Sequence, residues 1–461
     1  MKIIICGAGQ VGGQIARHLA REEGANQVTV IDRDAALIRR ITDAYDVNGI
    51  AGFASHPDVL ERAGARDADM VIAATQSDEV NMVVCQVASA IFSVPRKIAR
   101  LRAPAYLNPL YSDLYRQDQL PIDVVISPEY AVADAVMQRL SAPAAFDIEG
   151  FLDGGAQLVG IGLDGACAVL NTPLRQLSEL FSTLRAVVVG IRRGQRLFVP
   201  EADDQLYASD QVYLMTATED VARVMEIFGK AHIDVRRVLI VGAGNIGLRV
   251  ARSLEANRQR GSRLKIIERS RARAEEAADA LKRTVVLNGD GLDLDLLDEA
   301  NVGATDAMLA LTDDDKTNIL ACVRAKTEGA KLVVALVNDP SLIGLIAPMG
   351  IDAYVNPRST TVSSILRYVR HGRVRAVYSI GDGEAEVIEA QVLGTSMIAG
   401  RTVRESELPE ATIIGLLRKG GKVIVPKGDT RLAEGDVLTI FAMRDQVAEV
   451  ERLFQVGLDF F

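Results

Sequence analysis

The chain has 461 residues, with 52 Lys and Arg against 61 Asp and Glu, a formal charge of −9. At roughly 150 residues per domain the length suggests about three domains, and 49% apolar with 25% charged residues is globular composition that excludes wholesale disorder. The acidic balance argues against bulk binding of nucleic acid or anionic lipid, and no apolar run approaches the ~20 residues a membrane-spanning helix needs.

In chain order the pattern predicts strand 2–6, helix 10–22, strand 27–31, helix 34–44, a short strand near 47–51, helix 57–63 and strand 69–74. Helix 78–93, strand 97–101, a turn-rich helical stretch 104–118, strand 122–126 and helix 128–141 follow. Runs such as 70–74 are apolar throughout, as expected when helices cover both faces of a sheet. Alternating βα units of this length imply a parallel, doubly wound sheet. The apolar start, Ile3 to Cys6, is too short for a signal-peptide core and ends in a glycine turn. The four cysteines (Cys6, Cys85, Cys167 and Cys322) form no CxxC pair, which reads as a reduced, cytoplasmic chain without structural zinc.

The chain then repeats itself. GAGQVGGQIARHL at 7–19 matches GAGNIGLRVARSL at 242–254, and Thr75-x-x-Asp78-x-x-Asn81 matches Thr312-x-x-Asp315-x-x-Asn318. Cys85 faces Cys322, and PheValPro at 198–200 faces ValIleValPro at 423–426. After each parallel unit, short β-branched runs punctuated by glycine read as hairpins, and each copy closes on an amphipathic helix. The expected fold is α/β: two tandem Rossmann-type domains, 1–145 and 237–373, each followed by a small α+β domain, 146–228 and 374–461. Residues 229–236 would be the joint.

Gly7-x-Gly9-x-x-Gly12 follows a strand and opens a helix, where free N–H groups and the helix dipole favour phosphate. Asp32 lies at the end of the next strand, placed to accept hydrogen bonds from a ribose and to repel a 2′-phosphate. Gly242, Gly244, Gly247 and Glu268 repeat the pattern. A single such motif is weak evidence; two in the same context point to NAD(H). Arg33 and Arg269 follow each acid, and either stack on adenine or are solvated surface groups. Arg100 and Arg102 share one strand face, and either one of them reaches the phosphates or the two form a solvated strand edge. A basic run, Arg367, Arg370, His371, Arg373 and Arg375, ends a helix, where cations are favoured in any case.

Signs of turnover are missing. A dehydrogenase needs an acid–base group near the nicotinamide, yet the histidines, His18, His56, His232 and His371, do not repeat between halves. No GxxxxGK[ST], HExxH, GxSxG or clustered metal-ligand set occurs. Binding without chemistry is favoured, with an NAD-dependent oxidoreductase as the alternative. A transcriptional regulator would show a basic recognition helix, which the pattern lacks.

GAGQVGG at 7–13, ASHPDVL at 54–60, AGARDADM at 63–70, NMVVCQVA at 81–88, IARLR at 98–102, ISPE at 126–129 and ERLF at 451–454 together resemble the TrkA family of tandem RCK (KTN) regulators of bacterial Trk potassium uptake. The resemblance spans the whole chain. It implies a non-enzymatic regulatory subunit, peripheral to the inner face of the membrane, that assembles as a homo-oligomeric ring beneath an integral-membrane potassium translocator. It implies no nucleic-acid partner. The implied ligands are NAD(H) and, as further candidates, ATP or ADP. Carried over residue by residue, the implied contacts are Gly7, Ala8, Gly9, Gln10, Val11, Asp32, Thr75, Gln76 and Arg100 in the first half. In the second they are Gly242, Ala243, Gly244, Asn245, Ile246, Glu268, Thr312 and Asp313. Ala335 is expected to stand where the first half has Arg100, and Gly289-Asp290 where it has Gly52-Phe53. The two sites should therefore be unequal.

Overall fold

The computed structural model describes residues 1–20, 26–142, 145–165, 167–230, 235–256, 262–346, 348–369 and 374–454. Its first parallel unit contains β1 (Lys2–Cys6), α1 (Gln10–Ala20), β2 (Gln27–Asp32), α2 (Ala35–Ala44), β3 (Asn48–Ala51) and α3 (Pro57–Arg62). It continues with β4 (Met70–Ala73), α4 (Asp78–Ala90), β5 (Arg96–Arg100), β6 (Val124–Ile126) and α5 (Pro128–Ser141). The strand order is β3-β2-β1-β4-β5-β6, all parallel, with the order reversing between β1 and β4. The turn-rich stretch is a pair of 3-10 segments, Pro104–Leu107 and Pro109–Tyr115.

Local chemistry sets the ends of these elements. Asp34 caps α2 by accepting from the Ala36 N–H, and Ser77 caps α4 through the Val80 N–H. Ser127 caps α5 with Pro128 in the first turn, where its missing N–H costs nothing.

The first small lobe follows: β7 (Asp147–Phe151), β8 (Ala156–Gly162), α6 (Leu174–Leu180), β9 (Ala186–Arg193), β10 (Arg196–Phe198), β11 (Gln211–Ala217) and α7 (Val221–Ile227). These strands form one antiparallel sheet in the order β10-β9-β11-β8-β7.

The second half repeats the first. β12 (Arg237–Val241), α8 (Asn245–Ala256), β13 (Arg263–Glu268), α9 (Arg271–Ala280), β14 (Val285–Asn288) and α10 (Leu294–Glu299) come first. β15 (Ala307–Ala310), α11 (Asp315–Thr327), β16 (Leu332–Leu336), α12 (Pro340–Ile346), β17 (Ala353–Val355) and α13 (Pro357–Val369) complete the parallel unit, with strands ordered β14-β13-β12-β15-β16-β17. The closing lobe is β18 (Val374–Ile380), β19 (Ala385–Gln391), β20 (Thr412–Lys419), β21 (Lys422–Ile424), β22 (Val437–Met443) and α14 (Val447–Leu453), a second antiparallel sheet. The expected α/β duplication is therefore the observed architecture. His232, Arg370, His371, Arg373 and the side chain of Arg367 lie outside the described residues.

The halves exchange helices. The apolar face of α5 (Val132, Ala133, Val136 and Leu140) shares a core with Val238, Ile240, Val250 and Leu309 of the second unit. Reciprocally, Val362, Ile365 and Val369 of α13 pack with Ile3, Ile5, Ile15 and Leu19 of the first. Neither unit closes its core without a helix from the other.

The small lobes also pack sheet to sheet, burying Phe151, Leu158, Val189 and Met215 against Val387, Leu416 and Phe441. Glycines permit the approach: a Cβ on Gly190 would stand 2.7 Å from the Phe441 ring, and one on Gly415 2.7 Å from Met215. Polar groups crossing the boundary are paired. The Tyr378 hydroxyl donates to Asp147 at 2.6 Å, the Leu152 N–H donates to Glu389 at 2.6 Å, and Asp153 binds Arg418. Burial pushes the Asp147 carboxyl above its ordinary range, against the downward pull of Tyr378 and Arg139.

Candidate functional site: two phosphate loops and the cleft between halves

Each glycine of the loops has its own physical reason. Gly7 has φ +112°, and a Cβ there would meet the Ala74 carbonyl at 2.8 Å; Gly242 has φ +102°. A Cβ on Gly12 would lie 1.8 Å from the Gly7 oxygen, and one on Gly247 2.0 Å from the Gly242 oxygen, so these positions bring helix against loop. Gly9 and Gly244 face open space, which leaves the backbone free to approach a ligand. Helices α1 and α8 begin at the next residues, Gln10 and Asn245, and their first N–H groups have no partner within the helix. The cradle fits a pyrophosphate.

The acids on the neighbouring strands brace the loops. The Gly7 N–H donates to the Ile31 carbonyl at 2.7 Å, and Asp32 accepts from the Ala8 N–H at 2.7 Å and the Asp34 N–H at 2.9 Å. Glu268 accepts from Ala243 and Ser270, both at 2.8 Å, and also meets Arg273 at 3.4 Å. Asp32 is half-buried, whereas Glu268 is buried.

A second repeated device sits across each sheet. The Thr75 N–H and hydroxyl donate to the Asn81 side-chain carbonyl, and the Asn81 amide donates to the Arg100 carbonyl at 2.7 Å. Thr312 and Asn318 repeat this, with the Asn318 amide donating to the Leu336 carbonyl at 2.9 Å. Asp78 accepts from the Arg102 and Ala103 N–H groups, as Asp315 does from Asn338 and Asp339. These bonds correct one expectation: the counterpart of Arg100 is Leu336, while Ala335 pairs with Ala310 as Ala99 pairs with Ala73. Asn338 likewise replaces Arg102. The loss of the cation stands, one residue further along. Arg102 also lies in the loop beyond β5, not on its face. The bonds through Gly52 and Gly289 to the acid-bearing strands do match, so Asp290 occupies the place of Phe53.

A cleft of about 1030 Å³ opens between the halves. Gly242, Gly244, Asn245, Ile246, Glu268, Thr312 and Asp313 line it from the second half. From the first half come Gln10, Val11, Arg100, Arg102 and Glu129. Gly7, Ala8, Gly9, Asp32 and Thr75 do not line this cleft, and Gln76 borders a smaller one of about 440 Å³ that also touches Arg102 and Asn245. Arg100 is held by the Thr75 carbonyl at 3.3 Å, and its Nε is buried without an acceptor. Burial, with Arg102 beside it, lowers its pKa. Asn81, Asp78, Glu129, Arg273 and Arg358, the last lining the cleft from the first turn of α13, are site-forming groups that the motifs do not single out. The repeat at fixed spacing was the available signal for Asn81 and Asp78; for the others there was none.

Other candidates for chemistry fall away. His18 lies within α1, and His56 stacks on Phe53 at the start of α3. All four thiols are buried, with burial pushing Cys85 up to about 12. Among the described residues no group of three or more His, Cys, Asp and Glu is placed to hold a metal, and no helix is long and apolar enough to cross a membrane.

Comparison with known proteins agrees with this architecture. The model of the TrkA-N domain matches residues 3–128 and 238–357, and that of the TrkA-C domain matches 167–229 and 387–455. The Trk system potassium uptake protein TrkA of Azorhizobium caulinodans is 46% identical over 461 residues, and that of Halomonas elongata 40% over 465, each alignment covering 100% of both chains. Neither carries the name of an enzyme. The GsuK RCK domain shares the fold at a TM-score of 0.57 and 18% identity, covering 98% of this chain and 94% of its own. The GsuK channel bound to NAD also aligns at 0.57, over 98% of this chain and 78% of that one. On full-length identity, and on both domain types in both halves, the chain belongs to the TrkA family of Trk potassium-uptake proteins.

Proposed function

We propose that this chain is the nucleotide-sensing regulatory subunit of a potassium-uptake system, a non-enzymatic protein that binds NAD(H) at both phosphate loops. The observation that carries the reading is the doubled loop braced by an acid, the second copy of which opens on a cleft that both halves line. The names of the full-length relatives support the transport role, and a GsuK channel bound to NAD has the same fold. ATP and ADP are competing ligands of the same loops. The partner is an integral-membrane translocator of the Trk type, met at the inner face of the membrane by a cytoplasmic ring of these chains. The units of the ring are the domains 1–145, 146–228, 237–373 and 374–461.

A ligand shifts a conformational equilibrium only by its differential affinity for the states. Because α5 and α13 are exchanged, a nucleotide in the cleft touches elements of both halves and so favours one angle between them. The resulting coupling to the translocator would be about 1–3 kcal/mol, as is usual in allostery. Two experiments test the reading. Asp32→Arg should weaken NADH binding by roughly 10-fold or more in calorimetry, from the loss of charge-assisted ribose bonds, with the fold retained by circular dichroism; unchanged binding removes Asp32 from the ribose role. The protein should also co-purify with a membrane translocator and alter potassium flux when NADH is exchanged for NAD. A flux indifferent to every nucleotide sinks the proposal.

A further inference from the structure

At the end of its fifth strand and just beyond it, the two places where the first half has cations, the second half has none. Where the first half carries Arg100 and Arg102, the second has Leu336 and Asn338, and its Thr312 turn continues into Asp313, Asp314 and Asp315. A pyrophosphate seated on Gly244 and Asn245 would face those carboxylates, with the helix dipole and the cleft-lining Arg269, Arg273, Lys316 and Arg358 from its own half, of which Arg273 is engaged by Glu268. Further positive charge reaches the cleft from across the boundary, from Arg100 and Arg102. Arg102 borders the smaller cleft together with Asn245, the first residue of α8, and both line or adjoin the larger one.

The fold holds Arg102 there by a chain of contacts. Its backbone N–H and that of Ala103 are fixed by the Asp78 carboxylate, at 2.9 and 2.8 Å. Its Nε donates to Glu129 at 3.1 Å, and Glu129 stands in the first turn of α5. That helix is the one exchanged onto the second half, with the Tyr130 ring 4.0 Å from the Arg249 guanidinium of α8. The terminal amino groups of Arg102 make no hydrogen bond among the described residues, its side chain is 53% exposed, and it lines the cleft. It is a guanidinium anchored at one edge with its fork free, the arrangement that receives phosphate oxygens in pairs.

We propose that Arg102 is a phosphate ligand of the second nucleotide site, supplied by the first half, so that a nucleotide on the Gly242–Gly247 loop bridges the halves. The proposal rests on the nucleotide-binding reading and deepens it: the ligand class is a nucleoside di- or triphosphate or a dinucleotide, bound through its phosphates. The second site is incomplete without the first half, whatever the first site holds.

The test uses the full chain in two forms that each keep one site. Asp32→Arg leaves the second site as the intact one; Gly244→Asp, placing a carboxylate where the loop faces open space, leaves the first. Arg102→Gln is added to each, and ADP is titrated by calorimetry at two salt concentrations. In the Asp32→Arg protein the added change should weaken ADP about 10- to 100-fold, as loss of a charge-assisted phosphate contact does, and should flatten the salt dependence. Arg102→Lys should recover part of the affinity, which a merely structural role would not give. If Arg102→Gln instead weakens ADP only in the Gly244→Asp protein, or in neither, Arg102 is not a ligand of the second site. If neither single-site protein binds ADP or NADH at all while both remain folded, the failure belongs to the nucleotide reading.

Discussion

The two glycine loops share a scaffold and differ in the side chains placed around it. Both keep the glycine turn, an acid bonded to the loop N–H, the Thr–Asn bridge and the Asp that fixes the loop after the fifth strand. Around that frame the first half places Arg100, Arg102 and a half-exposed Asp32; the second places Leu336, Asn338 and a buried Glu268 tied to Arg273. Backbone-directed bonds were preserved because each satisfies a buried N–H or carbonyl whose loss would cost about 1–3 kcal/mol. The side chains outside those shared backbone bonds differ between the halves: Arg100 and Arg102 are held by Thr75 and Glu129, and their counterparts make no such contacts among the described residues. Duplication here has yielded one geometry with two electrostatic characters.

The largest expected effect tests the shared frame. Gly12→Ala and Gly247→Ala should each destabilise the chain by about 3 kcal/mol or more, because the new methyl would overlap a carbonyl oxygen that cannot move. Gly9→Ala and Gly244→Ala, which meet open space, should leave the thermal midpoint nearly unchanged. A tolerated Gly12→Ala would mean that the helix–loop contact is not tight.

A smaller contrast separates the equivalent acids Asp69 and Asp306. Asp69 is exposed and accepts from the Lys2 N–H, whereas Asp306 is buried and bound by Arg237 and Lys331 at 3.0 and 2.9 Å. Hydrogen bonds from Arg237 and Lys331 outweigh burial and hold the Asp306 carboxyl far below its ordinary value. Its folded pKa being depressed, the stabilisation is present above the unfolded carboxylate range and is lost as pH falls toward the folded value. Asp306→Asn should cost about 2 kcal/mol at neutral pH and less in acid; Asp69→Asn should cost a few tenths in urea unfolding. Equal losses would erase the distinction.

The least effect falls on the exchanged helices. Tyr130 of α5 stacks on Arg249, while the matching pair on α13 and α1 is Ser359 and Gln14. Tyr130→Leu should cost about 1 kcal/mol, the worth of a desolvated cation–π contact, and Ser359→Ala close to nothing. Differential scanning calorimetry that resolves the halves would show whether only one contact is stabilised in this way.

Much of this was legible in the chain. Period-2 and period-3.6 apolar patterns placed β1 through α5 to within a few residues, since each depends on neighbours close in sequence. The repeat aligned Thr75 with Thr312 and Asn81 with Asn318, and the structure gives both pairs the same bonds. The slip from Leu336 to Ala335 arose because β16 is apolar at every position, so nothing in its side chains marks the register. The hydrogen bond from Asn318 fixes it, and that bond joins residues 18 apart.

By itself the sequence determined the local devices: glycines where φ is positive or a helix meets a loop, caps at helix starts, an acid at each second strand, and the duplication. Only the tertiary structure decided that α5 and α13 change places, because an apolar stripe marks a face to be buried but not the sheet that buries it. That exchange sets which residues share the cleft. Arg102 and Asn245, far apart in the chain, border one cleft only because the halves have packed.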